Sequence, residues 1–372
     1  PDYPLSEWEK TTGKVITGNS VWRNPNLAVR EIETPSIKPD EVLIKVKACG
    51  VCGSDMHFYE TDKDNYILYP GLTKFPAALG HEFSGEVVEV GRDVQDEFQV
   101  GDMVTAEEMV WCGHCRPCRD GYPNQCLNLE EIGFTINGAF AEYIAVPAKL
   151  CWKLNAIRDL LGDEEKAYEA GALVEPTSVA YNGIFERAGG FRPGGYVTVF
   201  GTGPIGLGSI ALAKAAGAAK VIAFEVSPGR RELAKKIGAD FVFDPTEAPA
   251  HQRILEATNG EGANFHVEAA GAPTKTIPEM EKSMAIDCKI VQIGRAAERV
   301  PMYLETFQVR HSQFYGAQGH SGNGTFPNVI RLMASGLIDM TQIITARYKL
   351  DNAVDAIAKS TDRSDGKIMV KI

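Results

Sequence analysis

Hydrophobic and polar positions alternate in short runs through the first 150 or so residues. Residues 41–47, 83–90 and 140–146 are the clearest cases. Each is rich in β-branched or aromatic residues and ends near Gly or Pro, which predicts strands. The period changes near Glu165. Residues 165–187 pattern as a helix, and Pro193-Gly194-Gly195 follows as a turn. Apolar runs then alternate with helical patterns: strand 196–200, helix 205–216, strand 220–225 and helix 230–237. Short strands at 241–243, 264–268 and 289–293 continue the series. Such alternation predicts a doubly wound parallel sheet with helices on both faces. Beyond about Ser321 the rhythm stops. Two amphipathic helices, around 327–335 and 352–360, precede a strand at 367–372 that can rejoin the first domain's sheet. The expected division is 1–177, 178–322 and a returning segment 323–372.

Composition narrows the class. A chain of 372 residues suits two cores better than one, and 44% hydrophobic with 23% charged residues is a globular balance. The net charge of −11 disfavours nucleic acid and anionic membranes as partners. No apolar run approaches the roughly 20 residues that span a bilayer. Residues 1–10 are polar and charged, unlike a signal peptide, so the expected compartment is the cytoplasm. Eight cysteines in such a chain point to metal rather than to a disulfide framework.

Gly201-Thr202-Gly203-Pro204-Ile205-Gly206 fits G-x-G-x-x-G between an expected strand and an expected helix. Gly201 permits the tight turn, Gly203 lets backbone approach a pyrophosphate, and Gly206 lets helix and strand pack closely. Pro204 and Ile205 open the helix, whose free N–H groups attract phosphate. Glu225 ends the next strand and can accept hydrogen bonds from the adenosine ribose hydroxyls, which favours NAD over NADP. Arg230 and Arg231 lie just beyond and leave NADP open.

Cys112, Cys115, Cys118 and Cys126 form a C-x2-C-x2-C-x7-C run. Four thiolates so close can enclose one ion tetrahedrally with no open position, which describes a structural zinc. An iron–sulfur cluster is the rival occupant. Elsewhere, Cys52 and His81 pair a thiolate with an imidazole, a donor set suited to a second zinc with an open position for substrate.

Gly80-His81-Glu82-x-x-Gly85, continuing to Gly91 and Val94, is similar to the signature of the zinc-containing medium-chain dehydrogenases. Cys52-Gly53-Ser54-Asp55-x-His57, the four-cysteine lobe and the later glycine loop follow the family's order over essentially the whole chain. The chain departs from the alcohol-dehydrogenase branch where a third ligand, a cysteine, is expected: it has Glu175, followed by Pro176, as in the polyol (sorbitol-type) branch. The resemblance implies a mainly β, GroES-like catalytic domain at 1–177 with a structural zinc lobe at about 107–128, and a Rossmann NAD-binding domain at 178–322. It implies Glu82 and Glu175 as further ligands, Asp55 as the carboxylate holding the other ring nitrogen of His81, and a proton relay from Ser54 to His57. It also implies a homodimer or homotetramer.

The expected reaction moves a hydride between a secondary hydroxyl of a polyol, cyclitol or sugar derivative and the nicotinamide, with zinc as Lewis acid. Substrate selection is expected in residues 58–78, which carry Tyr59, Tyr66, Tyr69, Glu60, Asp62 and Asp64. Two alternatives stand beside this reading: a threonine-type amino-acid alcohol dehydrogenase, and a zinc-stabilised NAD-binding protein without turnover.

Overall fold

The computed structural model describes residues 3–296 and 298–372. The chain divides into two compact units. The first holds Pro1–Glu175, Ala346–Asp362 and Lys367–Ile372; the second holds Pro176–Thr345 and Arg363–Gly366.

The first unit is built on β1 (Glu41–Gly50), β2 (Glu82–Val90), β3 (Met103–Ala106), β6 (Tyr143–Pro147) and β7 (Cys151–Lys153). β4 (Met109–Val110) and β5 (Glu130–Glu131) form a separate small hairpin. Near the C-terminus the chain adds β14 (Ile344–Lys349) and β15 (Lys367–Lys371), giving the order β14-β15-β1-β2-β3-β7 with β6 also on β1. Alternate residues Val42, Ile44 and Val46 of β1 turn into a core with Phe83, Val87, Val104, Ile144 and Val146. The strand expected at 140–146 begins later, at Tyr143, because the Phe140 amide bonds to Leu79 O instead of entering the ladder.

The second unit is a six-stranded, wholly parallel sheet: β8 (Tyr196–Phe200), β9 (Lys220–Phe224), β10 (Phe241–Phe243), β11 (Ala263–Glu268), β12 (Met284–Gln292) and β13 (Gln313–Gly316). Its order, β10-β9-β8-β11-β12-β13, is that of the dinucleotide-binding fold. The side chains of Phe200, Phe224, Ile254, Ile277 and Ile290 pack one of its faces.

Two expectations need correction. The single helix at 165–187 is three pieces: Glu164–Ala172, Val174–Tyr181 and a wider π turn over Asn182–Arg187. Pro176 has no N–H to give the Ala172 carbonyl, so the ladder breaks at Leu173. The return to the first unit begins at Ala346, not 323. The helix Thr325–Ala334 buries Phe326, Val329 and Met333, and its Asn328 Nδ2 donates to Tyr181 Oη at 3.0 Å, within the second unit.

One buried group of this sheet ties stability to pH. His266 on β11 is fully buried and lies 2.6 Å from Thr198 Oγ1. Burial lowers its pKa from 6.5 to about 3. Between those values the unfolded chain binds a proton that the folded one refuses, so stability falls as pH drops through the window. Going from pH 7 to pH 5 is expected to cost about 2 kcal/mol through this residue. In His266→Gln the urea midpoint should change less over that range; an unaltered slope would contradict the assignment.

Candidate active site

β1 and β2 run antiparallel with Gly50 opposite Glu82. Cys52 lies two residues past the end of β1, and His81 immediately precedes β2. The hairpin-like register therefore brings these two side chains together. Cys52 also caps the short helix Gly53–Tyr59. Cys52, His81 and Glu82 each present a ligand atom within 4.8 Å of the others. A thiolate, an imidazole and a carboxylate at that spacing fit a zinc ion. His81 and Glu82 are buried, and Cys52 is half-buried.

Asp55 is fully buried, but its role differs from the expected one. Its carboxylate accepts from Cys52 N at 2.9 Å and Gly80 N at 3.3 Å. His81 Nδ1 stands 3.9 Å from Asp55 Oδ1, too far for a hydrogen bond. Asp55 thus clamps the two ligand-bearing loops through their backbones and acts on the imidazole by charge. Burial raises the carboxyl's pKa, although the His81 charge works the other way. His81 is itself pushed well above the usual range: burial opposes its charge, and Asp55 and Cys52 outweigh that. Phe134 lies against the imidazole with ring centres 4.7 Å apart.

Ser54 Oγ lies 3.4 Å from His81 Nε2. His57 stands one turn on, a third exposed, with Nδ1 3.4 Å from Glu60 Oε2. Glu175 is buried at the start of the helix Val174–Tyr181. It lies outside the tight group of three, and its charge acts on His81. Sequence reasoning missed Glu108, also buried, which brings a carboxylate oxygen within 4.8 Å of that of Glu175. It also missed Lys367, whose ammonium meets Glu82. Neither carries a local motif.

The loop at 58–78 is more structural than expected. Tyr69 is buried among Phe58 and Phe134. Asp62 accepts from the amides of Asp64 and Tyr66, both at 2.9 Å, closing a turn. Glu60 faces His57.

In the lobe, all four cysteine sulfurs lie within 4.8 Å of one another. Cys115 Sγ is 3.4 Å from Cys118 Sγ and 3.8 Å from Cys126 Sγ. Sulfurs about 2.3 Å from a shared ion stand about 3.8 Å apart in a tetrahedron, so zinc fits. Amides of Cys112 and Asn128 point at Cys126 Sγ, both at 3.3 Å. The Asn128 side-chain amide leads in drawing the Cys112 thiol down to about 5, whereas burial pushes the Cys118 thiol up to about 12 and raises that of Cys126. The remaining cysteines, Cys49, Cys151 and Cys288, are buried, and burial raises each of their pKa values.

In the second unit, Gly201 follows β8 at φ +84°, a conformation open to glycine. A Cβ on Gly206 would lie 1.9 Å from Gly201 O. Gly203 caps the helix Pro204–Ala215, which Pro204 and Ile205 begin. Glu225 accepts from Thr202 N at 2.8 Å and Ser227 N at 2.9 Å, so the residue expected to read the ribose also braces the glycine turn. Arg230 Nε donates to Asp365 O at 2.8 Å, and Arg231 Nη1 to Asp244 Oδ2 at 2.7 Å. Gly206→Val is expected to abolish NADH binding in a fluorescence titration, because the helix can no longer close on the strand. Retained affinity would contradict the assignment of this loop.

Residues 38–156 match the alcohol dehydrogenase GroES-like domain, and residues 204–335 the zinc-binding dehydrogenase family. The chain is 49% identical to scyllo-inosose 3-dehydrogenase of Thermotoga maritima, over 99% of its own length and 95% of that protein's. It is 32% identical to sorbitol dehydrogenase of Bacillus subtilis, over 90% of each. A solved structure from Thermotoga maritima superposes with a TM-score of 0.96 at 47% identity, covering 100% of this chain and 96% of that one. Among the described residues no helix is long and apolar enough to cross a membrane.

Proposed function

Because the chain belongs to the zinc-containing medium-chain dehydrogenases, we propose that it interconverts a secondary hydroxyl of a cyclitol and the corresponding ketone with a nicotinamide cofactor. The observation that carries the chemistry is the grouping of Cys52, His81 and Glu82. The substrate class is supported by the full-length likeness to a scyllo-inosose dehydrogenase, with a sorbitol dehydrogenase behind it.

Zinc bound there supplies a Lewis acid that lowers the proton affinity of a substrate hydroxyl, and the nicotinamide supplies the hydride acceptor. Cys52, His81 and Glu82 would hold the ion, with Glu175 as a further carboxylate ligand. Ser54, next to the imidazole, takes the hydroxyl proton, and His57 carries it towards solvent. Gly201, Gly203 and Gly206 admit the pyrophosphate, and Glu225 holds the ribose hydroxyls. We assign NAD as the preferred cofactor, since a ribose 2′-phosphate would meet the Glu225 charge. Glu225→Ala should therefore lower the NAD-over-NADP ratio of kcat/KM by about 10-fold or more, at roughly 1.4 kcal/mol per tenfold. An unchanged ratio would remove Glu225 from that role.

Cys112, Cys115, Cys118 and Cys126 would hold a second ion, giving two per chain. We assign the cytoplasm, where thiols stay reduced and available to metal, and a homodimer or homotetramer. The test is nicotinamide reduction or oxidation with a panel of inositols, inososes, sorbitol and L-threonine. The highest kcat/KM is expected on a cyclitol or its ketone. Preference for L-threonine would replace this reading with the amino-acid alcohol one.

A further inference from the structure

We propose that residues 14–24 act as a specificity strap: they fix the loop at 65–75 beside the metal centre so that the site favours a cyclitol over a short alcohol, with Trp22 as the positioning residue. This rests on the cyclitol reading of the substrate. The strap precedes β1 and runs antiparallel to the loop. Val15 N donates to Thr73 O at 2.8 Å, Thr73 N returns a bond to Val15 O at 3.0 Å, and Gly18 N donates to Gly71 O at 3.1 Å. Further along, Ile67 N donates to Trp22 O at 3.0 Å and Asn24 N to Asn65 O at 2.9 Å. Val15 and Val21 are buried, and the Lys14 ammonium anchors the start of the strap on Leu129 O at 2.9 Å.

Trp22 joins strap and loop through its side chain. Its Nε1 donates to Thr73 Oγ1 at 2.8 Å, and Thr73 is fully buried. Its ring meets Phe75 edge-on with centres 5.4 Å apart. From there a chain of rings leads inward: Phe75 to Phe58 at 5.4 Å, Phe58 to Phe134 at 5.6 Å, and Phe134 to His81 at 4.7 Å. The loop is also bonded to the helix that carries Ser54 and His57. The amides of Leu68 and Tyr69 donate to His57 O at 2.9 and 3.2 Å. The strap is thus connected, through the loop, to that helix and to the imidazole.

Two features turn this connection into selectivity. Strap and loop meet at isolated bridges and not in a continuous ladder, so each contact carries a large share of the loop's placement. Close-packed rings leave no gap to absorb a shift, so a displacement at Phe75 is passed to Phe58 and onward. A hydroxyl bound at the ion leaves the rest of the substrate lying over the surface around His57. Tyr59 and Leu68, the neighbours of His57 in chain and in hydrogen bonding, are exposed there. A cyclitol ring reaches that surface and needs it in one place. A short alcohol has no carbons to reach it. The ion therefore sets reactivity for both, and the strapped loop sets the preference between them.

The test uses the full-length, zinc-loaded protein with the best substrate of the panel above and with 2,3-butanediol as the short alcohol. Trp22→Ala removes both the ring and the Nε1 donor. It is expected to lower kcat/KM for the cyclitol by about 10- to 100-fold, mainly through KM, the scale of an ångström-sized misplacement. Turnover of 2,3-butanediol, zinc content and the Kd for NADH should stay near wild type. Trp22→Phe keeps the ring contact with Phe75 and should restore most of the preference. Gly18→Ala decides the matter if Trp22→Ala does not fold. Its Cβ would lie 3.0 Å from the Thr73 side chain and from Tyr69 O, wedging strap from loop, so the same ratio should fall. An unchanged cyclitol-to-butanediol ratio in the folded variant, or an equal loss on both substrates, would overturn the proposal. Wild-type preference for L-threonine would sink the cyclitol reading alone, and the strap would then be judged by the same ratio taken with that substrate.

Discussion

Replacing Cys52 with Ala is expected to lower kcat/KM by ~10³-fold or more, the scale of several kcal/mol of Lewis-acid stabilisation, while NADH binds with a near wild-type Kd. The thiolate is the soft donor of the candidate catalytic group, and His81 with a carboxylate cannot replace its charge and polarisability. The glycine loop belongs to a separate compact unit with its own core, so its folding does not depend on this side chain. Turnover with the preferred cyclitol, read beside NADH fluorescence titration, separates the two effects. Parallel loss of turnover and cofactor affinity would mean that Cys52 supports the fold and not the reaction.

Cys118→Ala acts on stability instead. The lobe has little apolar material of its own. Its helix Arg116–Arg119 is one turn long with no buried residue, and β4 and β5 are two residues each. What closes it is four sulfurs around one centre. Structural zinc binds zinc-finger peptides with about 10–16 kcal/mol, comparable to the ~5–15 kcal/mol stability of a whole domain. Losing even ~4 kcal/mol of that should lower Tm by roughly 10 °C. The expected variant is poorly folded at growth temperature, lacks one metal equivalent, and keeps its substrate preference in whatever fraction folds. A Cys118→Ala protein with unchanged Tm and metal content would exclude a zinc in the lobe.

Much of this was legible because the information is local. The glycine loop needs one strand end, three glycines and a helix start, all within six residues. The lobe needs four cysteines in a short run. Cys52 and His81 lie farther apart, yet each sits in a dense motif at a strand end, and antiparallel pairing of β1 with β2 joins them. What the pattern did not reveal depends on the chain's return. Lys367 meets Glu82 across 285 positions, and a lone lysine in the final strand carries no sign of its partner. Asp55 was expected to bond the His81 ring. Spacing could not show that the amides of Cys52 and Gly80 take its oxygens first. The loop at 58–78 looked polar, but Asp62 spends its carboxylate on its own turn and Tyr69 is held in an aromatic cluster. Helix length failed at Pro176, where the missing N–H outweighed an apolar period that continued through it.

Metal counting most directly tests the claim that this chain works through an ion held by Cys52 and His81. Elemental analysis of purified protein should find two zinc ions per chain in the wild type and one in folded Cys52→Ala. Two ions retained in Cys52→Ala, or a fully active wild-type enzyme carrying one ion in the lobe alone, would contradict it.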